Sequence, residues 1–239
     1  MQVYRIADMN IAVAPRFDYT KEYLADYAVN DSDYELAVTV TDDMIAYEQE
    51  LNVRIHGYPM SEALCESVAI LRVLCDHIIR RGGFFLHCSC LKYRGKAIIF
   101  TAPSGTGKST HASLWKEHFG DEVEMINDDK PLVREKEDGF VIYGTPWRGK
   151  HGRGANISAP IGAIFFLAQA PENSVEKIDG FTALTLLMQQ TVIPSGKNDT
   201  SALLDMLSRL IEHTPMFRLN CNISDEAVET SLGAVSSLW

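Results

Sequence analysis

Hydrophobic positions follow two different periods along this chain. Between residues 61 and 81, Leu64, Cys65, Val68, Leu71, Leu74, Cys75 and Ile78 recur every three or four residues. That spacing lines one face of an α-helix. Ser61 is suited to cap its start, Arg80 and Arg81 to its negative dipole end, and Gly82 and Gly83 to stop it. After that helix, strands are predicted at 84–91, 97–100, 123–126, 160–168 and 216–221. The unbroken apolar run at 160–168 reads as a strand buried on both faces. Helical spacing returns after residue 110, through Ala112, Leu114, Trp115 and Phe119, and stops at Gly120. It returns again at 181–190, at 200–213 and, with Ser224 as cap, at 225–238. Lys92 to Gly95 reads as a turn, and Glu137, Asp138 and Gly139 as the turn of a hairpin joining 131–135 to 139–144. Residues 1–60 read as short β-type runs, 3–13 and 35–40, around a polar and aromatic segment, 18–33. Strands alternating with helices predict an α/β fold, a sheet flanked by helices over 84–239, preceded by a small α+β region over 1–83.

One stretch carries the chemistry. The apolar run Ala97, Ile98, Ile99, Phe100 leads into APSGTGKST at 102–110. Gly105 and Gly107 allow backbone amides to turn inward, and the start of the next helix adds its positive end, so the loop favours a bound anion. Lys108 adds a full charge for terminal phosphates, and the Ser109 hydroxyl is of the kind that ligates Mg²⁺. This is a P-loop motif with Ala102 in place of its first glycine, and Ser104, Gly105, Thr106, Gly107, Lys108, Ser109 and Thr110 are its expected contacts to ATP. The following helix is short, and the strand at 123–126 is expected to close a compact right-handed βαβ unit. Asn127, Asp128 and Asp129 stand at its carboxyl end, where ligands of such sheets bind. Asp128 lies only 20 residues past Lys108. Two adjacent carboxylates there suit two tasks, one holding Mg²⁺ and the other taking a proton from an acceptor hydroxyl. Arg148, Lys150, His151 and Arg153 concentrate positive charge in the Gly-rich loop 145–154, where Arg148 or Lys150 is placed to neutralise a phosphoryl group or hold an anionic acceptor. His87, in the strand expected beside the one feeding the loop, is a candidate to orient the acceptor or an aspartate.

Composition narrows the partners. The chain has 239 residues, 46% of them hydrophobic and 23% charged, as in ordinary globular proteins. A net charge of −10 disfavours nucleic acid and anionic lipid, so neither is expected. No basic segment followed by an apolar run opens the chain, and the longest apolar stretches, such as 161–168, are too short to span a bilayer. The five cysteines lack CxxC spacing, so no disulfide framework or zinc site is indicated, and a reducing cytoplasm is the expected setting. Cys88 and Cys90, two apart on a strand, are read as small residues facing the core.

On these residues the chain resembles the HPr kinase/phosphorylase catalytic domain, of the superfamily that includes ATP-dependent phosphoenolpyruvate carboxykinase. The resemblance runs from about residue 86 to 167. His87 falls where that family has a histidine before the loop, SGTGKS at 104–109 matches its phosphate loop, and Asn127, Asp128 and Asp129 match its acidic pair. The whole chain looks more like the smaller HPr-kinase-related proteins, which carry TPWRGK, here at 145–150. The resemblance implies an ATP- and Mg²⁺-dependent kinase, with Asp128 and Asp129 in base and metal roles, His87 assisting, and Ser109 on Mg²⁺. It implies an acceptor hydroxyl on a peptide, small protein or small molecule, a peptide serine among them. The glutamate-and-arginine signature of HPr kinase is replaced by TPWRGK, so neither HPr as substrate nor that family's hexamer carries over, and a homo-oligomer stays open. Two other readings stand beside the kinase: a carboxykinase-like lyase on a small keto acid, and a nucleotide-binding sensor without catalysis.

Overall fold

The computed structural model describes residues 1–238 of the chain, which divides into two compact units, Met1–Ile78 and Ile79–Trp239. No helix among the described residues is long and apolar enough to cross a membrane.

In the first unit, the run expected as one strand at 3–13 is a hairpin of β1 (Gln2–Ile6) and β2 (Met9–Val13), turned by Ala7 and Asp8 at positive φ. The segment expected as polar loop contains α1 (Asp18–Leu24), followed by β3 (Ala28–Val29), which pairs with β1. Next, β4 (Leu36–Val38) runs parallel to β2. Two helices complete the unit, α2 (Asp42–His56) and α3 (Glu62–Ile79). Neither α1 nor α2 is foreseen above, and both depend on groups distant in sequence. The backbone N–H groups of Arg16 and Phe17, at the start of α1, donate to the Glu66 carboxylate at 2.7 and 3.3 Å, because Phe17 offers no capping side chain of its own. Only Ile45 and Glu48 of α2 are buried, so no apolar stripe marks it. It is held instead by Thr41, whose hydroxyl accepts from Met44 N, and by Arg72, which forks onto the buried Glu48 carboxylate at 2.5 and 2.9 Å. The α3 helix matches its apolar period, and Ser61 Oγ caps it by accepting from Leu64 N at 3.3 Å.

The second unit is a mixed sheet covered by helices on both faces. Its elements are β5 (Gly83–Phe85), β6 (Cys88–Tyr93), β7 (Lys96–Thr101), α4 (Lys108–Phe119), β8 (Val123–Asn127), β9 (Leu132–Lys136), β10 (Gly139–Tyr143), β11 (Ser158–Gln169), β12 (Ser174–Lys177), α5 (Gly180–Met188), α6 (Lys197–His213), β13 (Met216–Cys221) and α7 (Asp225–Val235). The strand order is β5-β9-β10-β11-β7-β6-β8, with β13 joined to β11 and β12 to β13. Alternation along single strands explains the two layers. Ala97 and Ile99 of β7 and Ile164 and Phe166 of β11 join Leu187, Leu203, Leu207 and Leu210 of α5 and α6. Their neighbours Ile98, Phe100, Ala163 and Phe165 join Ala112 and Trp115 of α4 and Val228 and Val235 of α7. Both faces of these strands are therefore buried, hence the unbroken apolar runs. Cys88 and Cys90 are buried in the first of these layers.

Three expectations change. The 84–91 strand breaks at Leu86 and His87, because β5 pairs with β9 while β6 pairs with β7 and β8. The βαβ unit is not compact, since β6 lies between β7 and β8 and is antiparallel to both. Arg94 and Gly95, at φ 48° and 83°, fold β6 onto β7 as a tight hairpin, so the place beside β7 is already taken. Ser224 starts α7 without a side-chain cap, for its hydroxyl donates to Asn222 Oδ1 at 2.6 Å instead.

His111 of α4 gives this core an acid limit. Its ring packs edge-on to Phe100, with centroids 4.6 Å apart, and burial pushes its pKa down to about 4 from 6.5. The folded state thus resists a proton that the unfolded chain accepts, so stability is complete above pH 6.5 and falls as pH drops toward 4. The whole loss is roughly 3 kcal/mol at about 1.4 kcal/mol per pKa unit. Urea unfolding at neutral pH and near pH 4.5 should show the wild type losing more stability than His111→Gln. Equal losses would show that His111 does not set the limit.

Candidate functional site

The carboxyl ends of β7 and β8 open into a cavity of about 500 Å³. It is lined by His87, by Ser104, Gly105, Gly107, Lys108, Ser109 and Thr110 of the glycine-rich loop, by Asp128 and Asp129, and by Gly149, Lys150 and His151. Segments distant in sequence thus meet in one place. Thr106 and Arg148 are not among its walls. The Thr106 hydroxyl turns back onto Pro103 O at 2.9 Å and its carbonyl accepts from Gln169 Nε2 at 3.2 Å, while the half-buried Arg148 runs alongside Gly154.

Within the loop, Gly105 and Gly107 stand at φ 82° and 114°, a region that a side chain would disfavour. The buried Lys108 ammonium donates to Ala102 O at 2.9 Å and Pro103 O at 3.3 Å, so it is tethered to its own loop at the mouth of α4. Burial lowers its pKa, and the nearby Cys88, Asp129 and Asp128 work against that.

The two carboxylates differ in setting. Asp128 is buried, with 6% exposure, and its Oδ1 accepts a 2.6 Å hydrogen bond from the buried Ser89 hydroxyl of β6. Asp129 is more open, pairs with the neighbouring Lys130 ammonium, and has its Oδ1 3.5 Å from His87 Nε2. The break between β5 and β6 produces that approach: Leu86 N donates to Pro131 O and Cys88 N to Asp129 O, so residues 86–88 run beside 129–131. His87 is fixed further by Gln190, whose carbonyl accepts from His87 N at 2.7 Å and whose Oε1 lies 3.2 Å from Nδ1. Burial and the Lys108 charge lower the His87 pKa, against Asp129 and Gln190, which raise it.

The turn that carries the carboxylates is built on Asn127. This fully buried side chain donates from Nδ2 to Thr145 O and Thr145 Oγ1, both at 3.1 Å. Its Oδ1 accepts from Asp129 N at 2.9 Å and Lys130 N at 2.8 Å. One amide therefore joins the acidic turn to the start of the basic loop. The loop then passes over Asp129 at Gly149, whose φ is 69° and where a Cβ would stand 2.9 Å from Asp129 Cβ.

A family described as SynChlorMet cassette protein ScmC matches this chain over residues 60–230. The chain belongs to that family. The match takes in every residue lining the cavity, so the site described above lies in the family's shared region. A search of curated proteins finds no match. Among solved structures, the chain is similar to the Hpr(Ser) kinase/phosphatase from Coxiella burnetii at 10% identity and a TM-score of 0.34, over 63% of this chain and 94% of that one. A likeness of that size is too slight to transfer a fold or an activity.

In this ScmC-family chain, sequence reasoning overlooked Ser89, Gln190 and Gly149 as parts of the site. Ser89 sits between Cys88 and Cys90 as the one hydroxyl in the stretch 84–91, and that contrast is a usable signal. Gln190 lies 103 residues from His87, and nothing local announces it. Gly149 was visible only as a letter of TPWRGK, its purpose being the close passage over Asp129. Among the described residues no three His, Cys, Asp or Glu side chains are grouped to hold a metal ion, so the oxygen donors of Ser109, Asp128 and Asp129 are the set to weigh.

Proposed function

We propose that this protein is a kinase that moves the γ-phosphoryl group of ATP to a hydroxyl, with a serine of a peptide or small protein as the acceptor class. The observation that carries this reading is the single cavity walled by Lys108, Ser109, Asp128, Asp129 and His87. A site that only bound nucleotide has no need of a second carboxylate beside a histidine. Hydroxyl and carboxylate oxygens suit Mg²⁺, a hard cation that prefers oxygen and keeps part of its water shell. Ser109 and Asp128 would hold it, and when bound it neutralises charge on the β- and γ-phosphates.

The residues of this chain divide the remaining work. Loop amides from Gly105 to Thr110, at the positive end of α4, receive the phosphates. Lys108 shifts from the carbonyls of Ala102 and Pro103 to the phosphate oxygens, a better partner for an ammonium than neutral carbonyls. Asp129 faces the acceptor and takes the hydroxyl proton as the acceptor oxygen bonds to the γ-phosphorus and the bond to the β–γ bridging oxygen breaks. ADP leaves with that electron pair. His87 Nε2, 3.5 Å from Asp129 Oδ1, is in place to share the proton, and Gln190 holds the ring in register. Lys150 and His151, at the outer rim, favour an acceptor with negative charge beside its hydroxyl.

Incubation with γ-labelled ATP, Mg²⁺ and serine-containing peptides is expected to label a peptide in a Lys108-dependent way. ATP binding without transfer to any acceptor or to water would favour a sensor and overturn the kinase.

A further inference from the structure

Gln190 holds His87 and also marks the point where the chain comes to the surface beside the site. Gln190 itself is buried, with its Oε1 3.2 Å from His87 Nδ1 and its carbonyl accepting from His87 N at 2.7 Å. Thr191 is then half-buried, and Val192 and Ile193 are 38% and 51% exposed. Among the described residues of the second unit, the large apolar side chains exposed to this degree are Phe181, Val192, Ile193 and Ile223. Two of the four thus stand side by side, within three residues of the group that anchors the histidine. Exposed apolar residues scattered singly are ordinary, whereas an adjacent pair next to reacting groups has the makings of a contact surface.

The strip they form is pinned at both ends. Thr191 Oγ1 donates to Phe85 O at 2.5 Å, and the carbonyl of the buried Pro194 accepts from Thr200 Oγ1 at 2.9 Å. Between these ties, the backbone N–H and C=O groups of Thr191, Val192 and Ile193 have no hydrogen-bond partner among the described residues. An extended peptide can add to such a segment as it does to a sheet edge, main chain to main chain, while side chains set the preference.

Contacts also give the strip a place in a row. Gly149 passes against Asp129, Asp129 Oδ1 lies 3.5 Å from His87 Nε2, and the other ring nitrogen of His87 meets Gln190. Lys150 and His151 continue the row at one end, and Val192 and Ile193 continue it at the other. Ile193 lies at most about 11 Å of chain from Gln190, the span of about three extended residues.

We propose that residues 191–193 are the docking strip for the acceptor peptide. The peptide lies along the row with its serine at Asp129 and His87, an acidic residue toward Lys150 and His151, and an aliphatic residue on Val192 and Ile193. The inference rests on the reading of this site as a kinase for a peptide hydroxyl.

Initial rates with γ-labelled ATP, Mg²⁺ and short peptides carrying one central serine test it in the full-length chain. Leucine is moved through the positions on either side of the serine, with serine in its place as the control. One side only should favour leucine, about three residues from the acceptor, with KM lowered about tenfold, the scale of covering one aliphatic side chain, and kcat within about twofold. Glutamate should be favoured on the opposite side. The double variant Val192→Ser, Ile193→Ser should erase the leucine preference while ATP affinity stays within about twofold. Both side chains are exposed, so the exchange leaves the core untouched, and the peptide scan itself needs no variant. Phosphorylation without a favoured side, or a leucine preference that survives in the double variant, would overturn the docking strip and leave the kinase standing. A smaller assembly in solution for the double variant, with the leucine preference intact, would overturn it too and assign the pair to a contact between copies of this chain. ATP binding without labelling of any peptide would remove the kinase reading, and this inference with it.

Discussion

Asp129→Asn is expected to reduce phosphoryl transfer by about 10²–10⁴-fold, the contribution of a positioned general base, while ATP affinity stays within about twofold. Asn keeps the volume and one oxygen of Asp129, so the turn held by Asn127 is undisturbed, yet the amide cannot take a proton. Asp128→Asn should fail differently. Ser89 Oγ donates to Asp128 Oδ1 at 2.6 Å, and the asparagine carbonyl can keep that bond only by turning its NH₂ to where the second carboxylate oxygen stood. An NH₂ group repels a cation, so turnover should fall to a similar extent and the Mg²⁺ concentration for half-maximal rate should rise, by about tenfold or more. Single-turnover transfer from labelled ATP over a Mg²⁺ titration separates the two. A Mg²⁺ midpoint displaced in Asp129→Asn as far as in Asp128→Asn would refute the division of labour. Full activity in both variants would refute the mechanism. His87 belongs to the same test, because His87→Gln should lower the rate less than Asp129→Asn and add little to it in the double variant. Groups that act on one proton are not additive.

The contrast between those two carboxylates was not visible in the sequence. Adjacent aspartates at a strand end read as a pair with two tasks, but which one is buried depends on Ser89 in β6. That strand reaches Asp128 only because the Arg94 and Gly95 turn inserts it between β7 and β8. Local signals were legible wherever neighbours in sequence do the physical work. The α3 period, the strand–loop–helix passage from β7 to α4 and the hairpin of β9 and β10 all depend on residues within a few positions of one another. The limits of α1 and α2 were illegible for the opposite reason, since Glu66 and Arg72, far along the chain, complete them. The basic loop shows both sides. Its charge and glycines were apparent, but only the fold separates Lys150 and His151, which line the cavity, from Arg148, which runs alongside Gly154. The Arg153 guanidinium is directed to the Ser113 hydroxyl on α4, a use of its charge that composition alone does not suggest.

Asn127→Ala should be the most disruptive single change near the site, and its damage should appear first in stability. The substitution leaves the Asp129 N–H without its acceptor, leaves the Lys130 N–H only its longer bond to Trp147 O at 3.2 Å, and takes the amide donor from Thr145 O. Each buried group left unmatched costs about 1–3 kcal/mol, and partial entry of water moderates the sum to roughly 2–4 kcal/mol. Asn127→Asp separates the two halves of the amide. It still offers an acceptor to both N–H groups but loses the donor to Thr145, and it adds a third negative charge to a fully buried position beside Asp128 and Asp129. Its stability should therefore be below that of wild type and should improve as pH falls and the new carboxyl is protonated, the reverse of the His111 effect. Gly149→Ala is the complementary case. Strain at φ 69° should cost about 1–2 kcal/mol. The larger consequence is for Asp129, which must move away from a Cβ only 2.9 Å from its own. A displacement near 1 Å at a reacting group can cost on the order of a hundredfold in rate. Urea unfolding paired with single-turnover transfer should thus place Asn127→Ala low on both axes and Gly149→Ala low on turnover with most of its stability retained. A Gly149→Ala protein that turns over as the wild type does would show that the close passage of the loop over Asp129 serves packing alone, and that the carboxylate tolerates more freedom than base catalysis at that position allows.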